Sequence, residues 1–117
     1  MTDATLIYHM CRAAEWQDAL TNGFYPGSSQ DREDGFIHFS TASQVVESAA
    51  RHRAGQSGLN LLAVKVAELG ESVRWEAARN GQLFPHLYGV LPVTAVAWVH
   101  DLPLGPDGLH VFPALEF

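Results

Sequence analysis

The sequence contains little cysteine, a single lysine and no long apolar run. One of its 117 residues is cysteine, Cys11, so an internal disulfide and a cysteine-rich zinc site are both excluded. A reducing compartment fits this composition best, and the N-terminus lacks the basic and apolar regions of a signal peptide. No apolar run approaches the ~20 residues that span a membrane. We therefore expect a cytoplasmic protein with no membrane association.

Basic residues are scarce, whereas histidines are abundant. The chain has 7 Lys and Arg against 13 Asp and Glu, with a formal net charge of -6. A surface of this sign repels phosphate backbones, so we do not expect constitutive nucleic-acid binding. The hydrophobic share of 47% is sufficient for one globular core, and the length predicts a single domain over residues 1–117. The six histidines nearly equal all other basic residues in number.

The first part of the chain is predicted to form a strand, a helix and a long loop. The helix places Ala13, Trp16 and Leu20 on one face and ends at a left-handed cap at Gly23. Residues 22–35 are rich in Gly, Ser, Asp and Pro, which predicts a long loop. Loops of this length in compact domains are often functional, so this loop is a candidate lid.

A second strand and a second helix follow this loop. Thr41 at the N-cap and Gln44 three residues later form a capping-box pattern. The buried stripe of this helix is predicted to consist of Val45, Val46, Ala49 and Ala50. Two helices in the N-terminal half are therefore expected.

The remaining chain is predicted to be mostly β-structure. Strands are expected at residues 5–9, 35–40, 59–66, 73–76, 93–100 and 110–112. The segment 59–66 is almost continuously apolar, which indicates a central strand. Pro85 argues against a central strand in the segment after Phe84. Early helices followed by strands with short connections favour an α+β fold with antiparallel pairing.

Four polar residues interrupt strongly apolar segments. They are His9, His38, Glu76 and His86. Titratable groups in apolar surroundings must be hydrogen-bonded, paired or neutralised, so four of them in a short chain predict a shared pocket. The strands that carry His9 and His38 should then be near neighbours. In the alternative interpretation, each histidine separately bonds a backbone carbonyl.

Other chemistries find little support in the motifs. No HExxH or other local metal spacing joins the histidines, so no metal is expected. No GxSxG elbow surrounds Ser40, and Cys11 is expected to pack rather than react. GxGxxG and P-loop motifs are absent from the sequence, which argues against those modes of nucleotide binding. Arg74 shares a strand face with Glu76, either as a surface ion pair or as a group that fixes this carboxylate or a ligand anion.

Five segments carry a resemblance to a known family. They are IYH at residues 7–9, Trp16, GFIHFST at 35–41, WE at 75–76 and FPHLYG at 84–89. Together they resemble the DUF952 family of small bacterial and plant proteins, from Thr5 to about Pro113. The resemblance implies an ADP-ribosyltransferase-like fold, with two small packed antiparallel sheets and a cleft that binds NAD.

A weaker resemblance to the RNA 2′-phosphotransferases of that fold class implies that His9 contacts the NAD and that His38 and Ser40 match a second-strand His-x-Ser pattern. The family motifs and the predicted shared pocket supply the other expected site residues. The expected catalytic residues are Glu76, His38 and His86. The expected cofactor-binding residues are His9, Ser40, Thr41, Tyr88 and Arg74. Glu76 would stabilise positive charge on the ribose while the nicotinamide–ribose bond breaks, as in glycoside cleavage. The expected function is thus an NAD-dependent ADP-ribosyl transferase or glycohydrolase, and the alternative is a non-catalytic domain that binds a nucleotide or a partner.

Overall fold

The computed structural model describes residues 5–78 and 81–116. The strands are β1 (Leu6–Arg12), β2 (Phe24–Tyr25), β3 (Ile37–His38), β4 (Leu59–Lys65), β5 (Val73–Ala77), β6 (Leu83–Leu87), β7 (Leu91–Pro92) and β8 (Val96–Leu102). The helices are α1 (Ala13–Asn22), α2 (Ser29–Asp34) and α3 (Ala42–His52). Within these described ranges the strands pair antiparallel in three sheets, β1-β4-β8, β2-β7 and β3-β6-β5. The predicted α+β class with small antiparallel sheets is confirmed, but the described residues form three sheets and three α-helices rather than two of each.

The β1-β4-β8 sheet packs into a hydrophobic core on each face, although much of β8 is exposed. Its first face packs into a core that includes Ile7, Cys11, Trp16, Ile37, Leu62 and Leu87. Its second face packs into another core, with residues of α3, that includes Leu6, Tyr8, Val45, Leu61 and Ala63. Because both faces of β4 are covered, its sequence is apolar at nearly every position. The prediction of a central strand at residues 59–66 is confirmed.

The β3-β6-β5 sheet has one apolar and one polar face. Ile37 and Leu87 are buried in the first core, and Trp75 is packed against it. On the opposite face, His38 lies beside His86 in the antiparallel register, as expected from the two-residue period of a strand. This polar face carries four of the sequence-predicted site residues, His38, Arg74, Glu76 and His86.

Pro85 lies in the middle strand of this sheet, so the prediction against a central strand there is wrong. The amide of Phe39 donates a hydrogen bond to the Pro85 carbonyl over 3.0 Å. The N–H and C=O of one strand residue point to the same side, so the missing proline N–H would face Phe39 as well. The position of this missing N–H lies beyond the end of β3, so no β3 pairing is lost. The pairing of β6 with β5, where Pro85 lies opposite Trp75, is also preserved.

The structure confirms the predicted helix boundaries more closely than the predicted buried faces of the helices. α1 ends at Gly23, which has a φ of 88°, and α3 begins with the predicted capping box of Thr41 and Gln44. Leu20 and Val46 are each 51% exposed, contrary to prediction, and Ala50 is exposed as well. Each helix packs on one side only, so its buried stripe is narrow. A residue that follows a buried one is rotated by about 100° around the helix axis and therefore lies outside this stripe. Trp16 and Ala19 are buried in α1, and Ala42, Val45 and Ala49 are buried in α3.

Residues 22–35 are not a structureless loop, because they contain β2 and α2. α2 begins with a capping box in which the Ser28 hydroxyl accepts from the Asp31 amide, and the Asp31 carboxylate accepts from the Ser28 amide. Gly35, with a φ of 88°, ends this helix. Aspartate replaces the usual Glu or Gln of the motif, which is why the pattern predicted a loop.

Three other predicted strands differ in extent. β3 contains only two residues, although Ser40 continues in a bridge to Tyr8 with hydrogen bonds of 2.7 and 2.9 Å. β8 begins at Val96 because Val93–Ala95 forms a 3₁₀ turn. At residues 110–112 there is an isolated bridge between His110 and Leu104. In the described part of the chain, no helix is long and apolar enough to cross a membrane.

Candidate functional site

A cavity of about 690 Å³ opens where β1, α2, β3, α3 and β6 meet. Its lining includes His9, Asp31, Asp34, His38, Ser40 and His86. Four of these, His9, His38, Ser40 and His86, are site residues predicted from the sequence. The bridge between Tyr8 and Ser40 places β1 beside β3, so the segments holding His9 and His38 are neighbours. A cavity of this volume lies in the range of small-molecule sites.

Asp31 is the buried acid of the cavity, with only 3% of its surface exposed. One carboxylate oxygen accepts from the backbone amide and from the ring Nδ1 of His38, at 3.1 and 2.5 Å. The other oxygen accepts from the Ser28 amide at 2.8 Å. Burial alone would raise the pKa of Asp31, but the His38 ring, the nearby His9 and these backbone donors lower it to about 2. Asp31 is therefore a fixed negative charge that joins α2 to β3.

His38 lies between two carboxylates of α2. Its Nδ1 contacts Asp31, and its Nε2 is 3.0 Å from Asp34 Oδ2. The hydrogen bond to Asp31 raises the pKa of His38; partial burial opposes this, and the charges of Asp31 and Asp34 add to it. When both ring nitrogens are protonated, each can donate to a carboxylate. The contacts of His38 therefore favour its charged form.

His9 uses both ring nitrogens within the protein. Its Nδ1 is 2.6 Å from the His38 carbonyl, and its Nε2 is 2.8 Å from the Tyr25 hydroxyl. A carbonyl can only accept, so Nδ1 carries the proton. Burial lowers the pKa of His9, which favours the neutral ring, and Nε2 then accepts from Tyr25. His9 lines the cavity but bonds a backbone carbonyl, as in the alternative interpretation for single histidines.

His86 is held by a carboxylate that does not itself line the cavity. Its Nδ1 is 2.8 Å from Glu76 Oε1, and the Tyr88 hydroxyl donates to the same oxygen over 2.7 Å. Phe36 stacks on the imidazole, with ring centres 4.1 Å apart. The hydrogen bond from Tyr88 and the one from His86 lower the pKa of Glu76. The ionised Glu76 accepts from Nδ1, so in the tautomer that this bond fixes Nε2 of His86 is the acceptor nitrogen.

The other predicted site residues lie outside the cavity. Glu76, Tyr88 and Arg74 form an outer cluster, in which the Arg74 guanidinium carbon is 4.7 Å from the centre of the Tyr88 ring. Trp75 faces the first core. Thr41 is the N-cap residue of α3, and its hydroxyl is 3.1 Å from the Ser43 hydroxyl. Glu76 is connected to the cavity through its hydrogen bond with His86, and Tyr88 also contacts Phe36, whose ring packs against His38 and His86.

Sequence reasoning missed Asp31, Asp34 and Tyr25 as parts of the site. The only signal for Asp31 was its spacing of three from Ser28, within a segment whose composition predicts a loop. Cys11 is fully buried, and burial raises its pKa to about 12, so it offers no reactive thiolate. Within residues 5–78 and 81–116, no group of three or more His, Cys, Asp or Glu is arranged to hold a metal ion.

Comparisons with known proteins identify the family. The model of DUF952, described as a protein of unknown function, matches residues 10–99. The chain therefore belongs to the DUF952 family, as its motifs indicated. A comparison with curated proteins gives no significant match.

Solved structures of one bacterial protein are similar over almost the whole chain. The crystal structure of protein CC0527 from Caulobacter crescentus is 47% identical, with a TM-score of 0.89, and the match covers 92% of this chain and 94% of that one. Its solution NMR structure is 48% identical, with a TM-score of 0.81 and 90% coverage of both chains. The α+β architecture is therefore shared with CC0527.

Proposed function

We propose that the cavity binds NAD or ADP-ribose and that the protein is an NAD-dependent ADP-ribosyl transferase or glycohydrolase. The observation that carries this proposal is the cavity itself, where His38, His86 and the buried Asp31 converge from separate elements. The motif resemblance to the ADP-ribosyltransferase-like class adds support. Convergent polar groups in one pocket of ligand size are the usual mark of a small-molecule site.

His86 is the residue best placed to move a proton. The ionised Glu76 holds its Nδ1–H, and among the described residues no hydrogen bond engages its Nε2. In hydrolysis, water attacks the ribose carbon as the bond to nicotinamide breaks, and its proton passes to Nε2. The products are ADP-ribose, nicotinamide and a proton. Glu76 stabilises the imidazolium that forms, as the carboxylate does in other carboxylate–histidine pairs.

The cavity also provides a net negative charge around His38, because its charged ring is flanked by two carboxylates, Asp31 and Asp34. Asp31 stays ionised in its hydrogen-bonded position, and such preorganised charges stabilise a positively charged transition state most effectively in a water-poor site. His38 would orient the nicotinamide end of the ligand through the face of its ring, because both of its ring nitrogens are engaged with these carboxylates. His9 would be a positioning residue, because its ring bonds the Tyr25 hydroxyl and the backbone carbonyl of His38 in β3.

Ligand binding and turnover test the proposal separately. Thermal shift with NAD, ADP-ribose and nicotinamide should show a concentration-dependent rise in Tm. Mass spectrometry should detect nicotinamide release from NAD. Glu76→Gln should keep NAD binding and lose turnover by about 10²-fold or more. The matched control is Glu47→Gln, an exposed residue paired only with Arg51 among the described contacts, which should change neither. Absence of binding by all three ligands would exclude the proposal.

A non-catalytic nucleotide-binding domain is the second candidate. Two observations favour it: both ring nitrogens of His9 are engaged internally, and Glu76 lies outside the cavity lining. In this case NAD or ADP-ribose raises the Tm of the wild type while no nicotinamide is released. His9→Ala should then weaken binding, and Glu76→Gln should bind NAD like the wild type and likewise release no nicotinamide.

A further inference from the structure

The cavity contains a second set of charged side chains, formed by Arg12 at the end of β1 and Arg53 directly after α3. Arg53 is half-buried. Its Nη2 donates to the Met10 carbonyl over 3.3 Å, and its Nη1 donates to Gln56 over 3.2 Å. These bonds hold the Arg53 guanidinium against the strand that ends at Arg12.

The acids that line the cavity are bonded to groups other than these two guanidiniums. Asp31 and Asp34 are engaged with His38, and Glu15 accepts a hydrogen bond from the Arg12 backbone amide. Among the described residues, neither guanidinium forms a salt bridge. In a chain with 13 acidic and 7 basic Lys and Arg residues, two such arginines in one cavity indicate an anionic ligand group.

We propose that Arg12 and Arg53 bind the phosphate groups of the ligand, as a pyrophosphate subsite of the cavity. The inference rests on the proposed function for the identity of the whole ligand. The planar guanidinium presents several N–H donors in a fixed fork, which suits phosphate oxygens. The two bonds from Arg53 to Met10 and Gln56 use two of its five N–H donors. The remaining donors are available to a ligand that reaches the cavity.

Calorimetric titration with inorganic pyrophosphate, ADP and adenosine tests this subsite directly. Pyrophosphate and ADP should bind the wild type, more weakly at high salt. Arg53→Gln and Arg12→Gln should each weaken both affinities by about tenfold or more, as expected for a lost charge-assisted bond. Adenosine affinity should not change, because adenosine has no phosphate. Arg53→Lys keeps the charge and should retain more pyrophosphate affinity than Arg53→Gln.

Two controls separate binding from folding. Arg51→Gln removes the same charge from α3 at an exposed position paired with Glu47, and it should bind pyrophosphate like the wild type. Arg12 is exposed, so Arg12→Gln remains informative if Arg53→Gln lowers the Tm through loss of the bond to Met10.

The outcomes distinguish this inference from the proposed function. If NAD binds and the Arg12 and Arg53 variants keep full NAD affinity, the subsite is wrong and the proposed function stands. If pyrophosphate binds through Arg53 while NAD and ADP-ribose do not bind, the subsite is right and the proposed function is wrong. Failure of pyrophosphate to bind the wild type, or equal losses in Arg51→Gln and Arg53→Gln, would overturn the inference.

Discussion

The two three-stranded sheets are both antiparallel, yet they differ in what they bury. The β1-β4-β8 sheet has a hydrophobic core on each face. The β3-β6-β5 sheet covers a core with one face and presents histidines and a glutamate on the other. Apolar burial is the dominant favourable term in folding, so the first sheet contributes more stability. The second sheet buries less apolar surface, because its other face carries polar side chains.

Polar residues of the second sheet are held by hydrogen bonds rather than by packing alone. His38 is bonded to carboxylates of α2, and His86 to Glu76 of the adjacent strand. Such bonds contribute modest net stability but are costly to leave unmade. The difference between the sheets therefore predicts large effects of substitution in the first and smaller, pH-dependent effects around the second.

The largest effect is expected at Leu62 in β4, which is fully buried. Leu62→Ala removes apolar contacts and leaves a cavity, so it should lower the free energy of unfolding by about 2–5 kcal/mol. Urea denaturation monitored by fluorescence measures this change. Leu20→Ala makes the same change at an exposed position of α1 and should stay within about 0.5 kcal/mol. Similar losses in both variants would contradict the contrast between buried and exposed sites.

The more stable sheet was also the more predictable one. Residues 59–66 read as a central strand because burial on both faces leaves an apolar residue at nearly every position. The capping box at Thr41 and the glycine cap at Gly23 are local signals, and both predicted helix ends correctly. The prediction at Pro85 was wrong because the effect of a proline on a sheet depends on which neighbouring strand its missing N–H would face. That neighbour is fixed by the tertiary pairing and not by the local sequence.

The candidate site was predictable only where polar residues interrupt apolar strands. His9, His38 and His86 stand out for that reason, and the structure gathers them around one cavity. Asp31 does not stand out, because a carboxylate in a Gly- and Ser-rich segment is ordinary at the surface. Its burial arises from the packing of α2 against β3, which no local pattern records. Glu76 also stands out, but the ring of His86 separates its carboxylate from the cavity. This separation follows from the tertiary structure and not from the local sequence.

An intermediate effect is expected from protonation of Asp31. Its folded pKa of about 2 lies below its ordinary value of 3.8, so its stabilisation is present above pH 3.8 and is lost as the pH falls towards 2. The contribution is on the order of 2 kcal/mol. Asp31→Asn should lower the free energy of unfolding at neutral pH, and this difference from the wild type should shrink between about pH 5 and pH 2.

Urea denaturation of both proteins across this pH range measures the difference. Asp18→Asn is a matched control, because it makes the same substitution at an exposed residue of α1. A constant difference between the wild type and Asp31→Asn at all pH values would show that the charge of Asp31 has no part in holding α2 to β3.

The smallest effect is expected on the alkaline side, at His38. Its hydrogen bond to Asp31 raises its pKa above the ordinary 6.5, so the stabilisation is complete below pH 6.5 and is lost as the pH rises through the folded pKa. The groups facing its ring are Asp31 and Asp34 of α2, His9 of β1 and His86 of β6. Because the ring is half exposed, we expect a change under about 1 kcal/mol.

His38→Gln keeps a side-chain donor but no charge, so its deficit relative to the wild type should be largest below pH 6.5 and should shrink at alkaline pH. Matched urea denaturation series for the two proteins measure this deficit. The control His100→Gln makes the same change at an exposed ring whose Nδ1 contacts the Asp101 carbonyl. A deficit for His38→Gln that does not change with pH would mean that its contacts with Asp31 and Asp34 do not depend on the second ring proton. The polar face of the second sheet would then be stabilised, like the first sheet, by interactions that do not depend on pH.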